Sequence, residues 1–185
     1  MKGTDLREHG SGNAGTTNAF RVLGWPIGIV VLVIDIAKGF LAVFASRYQG
    51  IWMEGDELWM LFKILLGALA VTGHIFPVFA GFRGGKGVAT MAGVGLALHP
   101  QATLAVLGVY LVVLVLFRIS SLASLLAAIS FPLMVILVFD NAYYSLRIFS
   151  VLVALLIILT HRANIRRLIR GEEKKFRWRS KGDSF

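Results

Sequence analysis

The first of three polar segments in this sequence combines flexible glycines with donors that suit a phosphate ligand. Its members are Gly10, Ser11, Gly12, Asn13, Thr16, Thr17, Asn18 and Arg21. Glycine lets the backbone turn tightly and approach a ligand, and the arginine fork matches phosphate oxygens. The spacing also fits GxGxxG, but no strand precedes it, so it does not indicate a dinucleotide site. A flexible, solvated N-terminus is the alternative for this segment alone.

The second segment, residues 73–90, places a lysine among glycines directly before an apolar run. The run begins near Val88, and it is preceded by Gly84, Gly85, Lys86 and Gly87. This is not a Walker A loop, because a glycine follows the lysine where serine or threonine is required. Backbone N–H groups, a helix N-terminus and an ammonium would still converge there, which predicts an anion-binding nest. A glycine-rich turn with two surface cations is the alternative.

The third segment, residues 161–173, places a histidine and an asparagine at helical spacing in a basic stretch. His161 and Asn164 are three residues apart and share one helix face. The arginines around them can reach phosphate oxygens of a substrate or of lipid. A basic helix lying on lipid would explain those arginines, but it would not explain His161 and Asn164.

His74 of the second segment, near the end of an apolar run, fits a packed or interfacial position as well as a ligand contact.

The remaining sequence is typical of a membrane protein. Of its 185 residues, 57% are hydrophobic and 16% are charged, and the mean hydropathy is +0.75, whereas soluble domains are more polar. Apolar segments in lipid are predicted to be helices, because isolated strands leave backbone groups without partners. The segments are approximately Val22–Ser46, Leu58–Phe79, Val88–His99, Gln101–Phe117, Ser121–Phe139 and Tyr144–Thr160. The sequence therefore predicts an all-α, polytopic membrane helix bundle of about six spans in a single membrane domain, residues 1–185.

The distribution of positive charge predicts how this bundle is oriented. The segment 88–99 is short, about 18 Å as a helix, and Pro100 prevents one continuous helix onward to Phe117. If the short segment crosses, residues 1–21, the loop with Arg83 and Lys86, and the basic C-terminus all lie on one side. The positive-inside rule makes that side cytoplasmic. We therefore expect both termini and all three polar segments on the cytoplasmic side.

The formal charge of +9 comes largely from the C-terminal residues. Residues 162–185, which include the tail 174–185, hold nine of the 19 Lys and Arg against three acids. After an apolar span, such a stretch favours contact with anionic membrane lipid over nucleic acid. The sequence has no cysteine, which excludes disulfides and thiolate metal sites. Inside the bilayer, Asp35 and Lys38 are spaced to form an ion pair, structural or functional, and Lys63 can snorkel.

Together the three segments carry a family resemblance. GSGNAGTTN with Arg21, then GHIFPVF with GFRGGKGVAT, then HRANIRRLIRGEE follow one another along the chain. In that order they resemble the signature segments of the bacterial acyl-phosphate:glycerol 3-phosphate acyltransferases, the PlsY family. The resemblance implies an inner-membrane enzyme that moves a fatty acyl group from acyl phosphate to glycerol 3-phosphate, forming lysophosphatidic acid and phosphate. It further implies that the enzyme uses no metal and no organic cofactor. In the family a seventh span precedes the first segment, but here that segment begins about nine residues after Met1, so we expect the first span of the family to be missing from this sequence.

The resemblance also implies which residues form the site. We expect the acyl phosphate to be held by Gly84, Gly85, Lys86 and Gly87, and glycerol 3-phosphate to be bound by Arg21. The residues expected to position the reacting groups are Ser11, Asn13, His161 and Asn164. Further substrate-binding residues are Gly10, Gly12, Thr17, Asn18, His74 and Arg162. The proton acceptor stays open among His161, His74 and the phosphate of the substrate itself.

A small membrane transporter of anions is the alternative from another functional class, because the same segments could bind and release phosphate. It would predict polar residues through the whole bilayer and inverted repeats with broken helices. Beyond Asp35, Lys38 and Lys63 the spans are apolar, and no internal repeat is visible. An acyl coenzyme A donor is not indicated either. The glycerol-phosphate acyltransferases that use such thioesters carry an HxxxxD motif, and no histidine in this sequence is followed five residues later by aspartate. The sequence carries no signal for an oligomeric state.

Overall fold

In the computed structural model the residues described are 4–48, 50–51, 54–140 and 143–176, and their regular structure is helical. The helices are α1 Thr16–Leu23, α2 Trp25–Phe44, α3 Glu57–Ile75, α4 Val88–Leu98, α5 Pro100–Phe117, α6 Ser120–Leu133, α7 Tyr144–Thr160 and α8 Arg162–Ile169. Short 3₁₀ turns follow α2 and α3, and a π-helical turn, Met134–Val138, extends α6. The prediction of an all-α bundle is confirmed.

Helices α2 to α7 run alternately between the two ends of the bundle. At one end, which we call the site end, the hydroxyl of Thr160, the last residue of α7, lies 3.4 Å from the carbonyl oxygen of Lys86 before α4. At the opposite end, the Glu57 carboxylate at the start of α3 accepts the Ser145 N–H at the start of α7, at 2.6 Å. The basic loops and the beginnings of α4 and α6 therefore share the site end, as the charge pattern predicted.

Fewer helices than predicted are long enough to cross a membrane alone. Over the described residues there are four, Trp25–Tyr48, Glu57–Ala80, Pro100–Phe117 and Ser120–Val138, and a fifth if α7 and α8, bent by 64°, count together. Helix α4 has 11 residues, about 16 Å, against roughly 30 Å of hydrocarbon. Six helices, α2 to α7, still run between the two ends, as the prediction of about six spans requires, but α4 does so as a short helix buried among longer ones.

Glycine and proline move two predicted helix boundaries. Gly24 has a φ of +82°, which separates α1 from α2, so the first long helix begins at Trp25 and not at Val22. Helix α3 ends at Ile75, before Pro77, and not at Phe79 as predicted. A residue before proline is disfavoured in the α conformation, which explains this earlier end. The loop between α3 and α4 is therefore longer than the hydropathy suggested, and it carries the lysine of the second segment.

Short helix α4 is held against α2 by direct contact of their backbones. A Cβ atom built on Gly93 would lie 1.9 Å from the carbonyl oxygen of Ile36, and one on Gly39 would lie 2.1 Å from that of Thr90. Small residues allow such close approach between membrane helices, where van der Waals packing drives association. Since α4 begins immediately after Gly87, this contact also fixes the position of the loop that precedes it.

We expect Gly93→Ala to destabilise the bundle by about 1 to 3 kcal/mol or more, because its methyl group has no space between α4 and α2. The measurement is thermal unfolding of the purified protein in detergent. Gly108→Ala on α5 is the matched control, since a Cβ there meets no atom within 4 Å. Equal unfolding temperatures for the two variants would contradict the close contact.

Candidate active site

A hydrogen-bonded network at the site end joins the second and third polar segments. The Lys86 ammonium donates to the side-chain oxygen of Asn164, whose amide nitrogen donates to Glu173 Oε1 at 2.6 Å. The same carboxylate accepts the Arg167 Nε–H at 2.6 Å and the Ser121 hydroxyl at 2.8 Å. Five polar groups from three separate parts of the sequence thus converge, and they place cationic and neutral donors around one carboxylate.

The bend between α7 and α8 positions the third segment in this network. His161 ends α7, and α8 leaves at 64° to it, which places the buried Asn164 toward Lys86. After α8 the chain reverses at Gly171, whose φ is +70°. The returning residues place Glu173 beside α8, and the Phe176 N–H then donates to the Arg118 carbonyl at 2.5 Å. The network is therefore closed by a short return segment, residues 171–176.

Burial and neighbouring charge set the protonation of the network. Burial lowers the pKa of Lys86 to about 8, opposed by the negative charge of Glu173 and assisted by the positive charges of Arg167 and Arg21. Burial alone would raise the pKa of Glu173, but hydrogen bonds from Arg167, Asn164 and Ser121 lower it below its usual value. At neutral pH the site therefore holds a charged lysine beside a charged carboxylate, with the lysine close to losing its proton.

His161 is buried at the junction of α7 and α8, with 2% of its surface exposed. Its Nδ1 lies 2.8 Å from the carbonyl oxygen of Ile157. A carbonyl oxygen can only accept, so Nδ1 carries the proton in a neutral ring and Nε2 is left as an acceptor. The ring therefore has one nitrogen held by the helix and the other suited to receive a proton or a hydrogen bond.

In the first polar segment, Asn18 organises the backbone. The side chain is buried; its oxygen accepts the Ser11 N–H at 2.9 Å, and its nitrogen donates to the carbonyls of Leu6 and His9. A Cβ on Gly10, whose φ is +68°, would lie 2.2 Å from the Asn18 oxygen. Gly10 and Asn18 therefore shape a tight turn, and this segment is more ordered than a solvated N-terminus would be.

Two contacts join the first polar segment to the loop that carries Lys86 and to the start of α6. The Asn13 amide nitrogen donates to the Gly84 carbonyl at 3.4 Å, and the Thr17 hydroxyl lies 3.1 Å from that of Ser120. Arg21 is exposed, yet its charge acts on Lys86. By contrast, Gly12 and the side chains of Ser11 and Arg162 are exposed, and no hydrogen bond joins them to the network among the residues described.

The glycines of the second segment turn their N–H groups toward the end of α3. Gly84 N–H donates to the Ile75 carbonyl and Gly85 N–H to the His74 carbonyl, both at 3.1 Å. The predicted anion nest is therefore narrower than the sequence suggested, because these two amides are already bonded. It reduces to Lys86 and the first turn of α4, which starts at Val88 directly after Gly87, whose φ is +83°.

Several groups at the site were missed by the sequence reasoning. Ser121 donates to Glu173, and Ser120 lies 3.1 Å from the Tyr110 hydroxyl. The signal was weak, because a serine pair at the start of an apolar helix also reads as an ordinary N-terminal cap. Glu173 was present in the third segment, but its distance from Asn164 along the chain hid the contact that the return segment makes.

Two cavities flank the loop that carries Lys86. An apolar cavity of about 80 Å³ lies among α4, α5, α6 and α7. Its lining includes Tyr110, Val88, which follows the Lys86 loop directly, and Ile157, which lies one helical turn before His161. A polar cleft of about 540 Å³ lies against Gly84 and Gly85 and is lined by Arg7, Lys38, His74 and Arg83 among others. Within the described ranges no group of three His, Cys, Asp or Glu residues could hold a metal ion.

These features define a multi-pass integral membrane protein with one polar site at an end of its helix bundle. The chain belongs to the glycerol-3-phosphate acyltransferase family, whose sequence profile matches residues 1–171. The glycerol-3-phosphate acyltransferase of Chlorobaculum tepidum is 43% identical over 201 residues, covering 95% of this chain and 86% of that relative. The Chlorobium luteolum protein of the same name is 45% identical with the same coverage.

Solved structures agree with this assignment. The chain is similar to PlsY (YgiH), an integral membrane glycerol 3-phosphate acyltransferase, in its glycerol 3-phosphate form. The TM-score is 0.83 at 40% identity, over 95% of this chain and 84% of that one. The lysophosphatidic acid form gives a TM-score of 0.77 at 38% identity, over 90% and 81%. The predicted family and the membrane helix fold are confirmed.

Proposed function

We propose that this protein transfers a fatty acyl group from acyl phosphate to glycerol 3-phosphate, forming lysophosphatidic acid and inorganic phosphate in phospholipid biosynthesis. The observation that carries the proposal is the network in which Lys86 meets Asn164 beside the buried His161. The relatives are named for the same acceptor, and similar solved structures are described with glycerol 3-phosphate and with lysophosphatidic acid. Both substrates bear phosphate, which suits a cationic site at a membrane interface.

The phosphate of the donor is assigned to Lys86 and the first turn of α4. An ammonium and the unpaired N–H groups of a helix N-terminus attract the same oxyanion. Gly84, Gly85 and Gly87 serve by shaping the loop, since two of their amides bond to α3. The part of the fatty tail nearest the phosphate is assigned to the apolar cavity that starts at Val88, because a donor with its phosphate on Lys86 would extend its chain along α4.

Glycerol 3-phosphate is assigned to the first segment. Arg21 offers a bidentate fork for its phosphate, and Ser11, Asn13, Thr17, Asn18 and the turn glycines Gly10 and Gly12 build the surface beneath. His161 and Asn164 complete the side that faces the hydroxyl group, and Arg162 and His74 border it. The acceptor hydroxyl then lies between the two phosphate sites, where positioning alone contributes much of the rate.

The reaction needs no protein nucleophile, because acyl phosphate is already a mixed anhydride. The hydroxyl oxygen attacks the carbonyl carbon, the bond from that carbon to the phosphate oxygen breaks, and phosphate leaves with the electron pair. The hydroxyl proton goes to His161 Nε2, to His74 or to the departing phosphate. Lys86 stabilises the charge that develops on the leaving phosphate.

Acyl phosphate is proposed as the donor over acyl coenzyme A. Glycerol-phosphate acyltransferases that use thioesters resemble one another in an HxxxxD motif, and here the residues five after the four histidines are Ala14, Phe79, Leu104 and Arg166. The test gives purified protein labelled glycerol 3-phosphate with palmitoyl phosphate or with palmitoyl coenzyme A. We expect lysophosphatidic acid from the phosphate at a rate at least tenfold higher. Equal rates would refute the donor assignment, and binding without product would favour the anion transporter.

The enzyme is proposed to lie in the bacterial inner membrane with both termini and the site in the cytoplasm. The support is the gathering of basic loops at the site end. Ser184 lies outside the described residues, as does much of the basic tail 174–185, so the test uses sequence alone. Ser184→Cys should stay protected from an impermeant thiol reagent in intact cells and react after permeabilisation. Labelling of intact cells would reverse the orientation.

A further inference from the structure

A second charged cluster lies on the other side of the Gly84–Gly85 loop from Lys86. The Lys38 ammonium donates to Asp35 Oδ1 at 2.7 Å and lies 2.6 Å from His74 Nδ1. An ammonium has only protons to give, so His74 Nδ1 accepts and the ring is neutral, with its proton on Nε2. The Thr16 hydroxyl donates to the other Asp35 oxygen at 3.2 Å. Asp35, Lys38 and His74, which we call the triad, therefore join α2 to α3. Thr16 links α1 to the triad through Asp35.

Placing the charged groups of this triad within a membrane helix costs free energy. Asp35 and Lys38 are in the middle of the apolar helix α2, and the side chain of Asp35 is only 8% exposed. Charged groups at such positions are expensive in a membrane and persist where they serve a specific arrangement. Among the residues described, no hydrogen bond joins Asp35, Lys38 or His74 to the network of Lys86, Asn164 and Glu173, so phosphate binding at Lys86 does not account for them.

The His74 ring supports the glycine loop directly. A Cβ on Gly85 would lie 2.0 Å from His74 Nε2, and one on Gly84 would lie 1.9 Å from the His74 carbonyl oxygen. The same carbonyl accepts the Gly85 N–H. The loop that leads to Lys86 therefore rests on His74, by its ring and its backbone together, and Lys38 fixes the angle of that ring.

We propose that Asp35 and Lys38 are positioning residues that orient the His74 ring, hold the Gly84–Gly85 backbone through it and thereby place Lys86 for the donor phosphate, without contacting substrate themselves. Through Thr16 the same triad ties the first polar segment to the second, so the relative position of the two phosphate sites depends on it. The kinetic part of this inference rests on the proposed function, whereas the placement of the loop does not.

The first test reads the loop without any substrate. Hydrogen exchange of the purified protein is followed by mass spectrometry for a peptide that covers residues 84 and 85, whose N–H groups are bonded to α3. We expect Lys38→Met to raise the exchange rate of those two amides at least tenfold, with peptides from α5 unchanged. Lys63→Met is the matched control, because Lys63 lies in the membrane over the Trp59 ring, outside the triad. Unchanged exchange in Lys38→Met would overturn the proposal.

The second test is a double-mutant cycle on kcat/KM for palmitoyl phosphate. If the triad acts through Lys86, Lys38→Met lowers kcat/KM about tenfold alone and less than twofold in a Lys86→Met background. An equal tenfold loss in both backgrounds would mean that Lys38 touches substrate, which contradicts the proposal. Lys38→Arg, which keeps the charge, should recover most of the activity, and unfolding temperatures identify variants that are merely unstable. A wild-type protein that makes no product, with exchange still responding to Lys38→Met, would remove the proposed function and leave the positioning role.

The third test uses the contact between ring and loop. Gly85→Ala should lower activity at least tenfold, because its methyl group meets His74 Nε2. In the double variant with His74→Ala the obstructing ring is absent, and activity should exceed that of Gly85→Ala alone. Activity at or below the product of the two single losses would show that this contact does not govern the loop.

Discussion

Lys86→Met is expected to lower kcat/KM for palmitoyl phosphate by about 100-fold, chiefly through a higher KM for the donor. The substitution keeps the apolar stem and removes the ammonium that donates to Asn164. A charge-assisted hydrogen bond contributes about 1.5 to 3 kcal/mol, and each 1.4 kcal/mol is a factor of ten. Steady-state kinetics in detergent micelles, with each substrate varied in turn, gives the two constants. A change below twofold would count against the whole site.

The pH profile provides a second reading of the same residue. The pKa of Lys86 is lowered to about 8 by burial, so the ammonium is present below that pH and is lost above it. kcat/KM should therefore fall on the alkaline side with an apparent pKa near 8. Lys86→Arg removes this limb, because a guanidinium stays charged throughout that range. An alkaline limb that is unchanged in Lys86→Arg would assign it to another group.

Arg21→Ala should raise the KM for glycerol 3-phosphate about tenfold or more, with the KM for palmitoyl phosphate nearly unchanged. The reason is the loss of one charge-assisted contact to the acceptor phosphate, worth about 1.5 to 3 kcal/mol. Arg170→Ala is the matched control, because Arg170 is also an exposed arginine at the site end but lies at the far end of α8. A larger effect on the donor KM than on the acceptor KM would exchange the assigned roles.

The sequence predicted the membrane class and the meeting of the three polar segments, because hydropathy and positive charge act over whole segments. It could not predict how short α4 would be accommodated. That depends on Gly39 and Gly93, whose meaning appears only when two backbones approach each other. Helix α2 begins later than predicted because of Gly24, and α3 ends earlier because of Pro77. Both residues are visible in the sequence, but hydropathy alone gives them little weight.

Within the site, residue type predicted which residues lie there better than it predicted what each side chain or amide contacts. Lys86, His161 and Asn164 do lie together, yet Asn18 proves to hold a turn, and the Gly84 and Gly85 amides bond to α3. Glu173 and Ser121 enter the network through the return segment and the start of α6. The contact between Ser121 and Glu173 joins positions 52 residues apart, and no periodic pattern in one sequence reveals a contact of that range.

An acyl group, and not a phosphoryl group, is proposed to move from acyl phosphate to glycerol 3-phosphate at this site. The most direct measurement supplies purified protein with palmitoyl phosphate labelled with radioactive phosphorus and glycerol 3-phosphate labelled with radioactive carbon. All the phosphorus label should appear as inorganic phosphate, in amounts equal to the carbon label in lysophosphatidic acid. Both signals should fall together in Lys86→Met. Phosphorus label in the lipid product, or phosphate released without lysophosphatidic acid, would contradict this proposal.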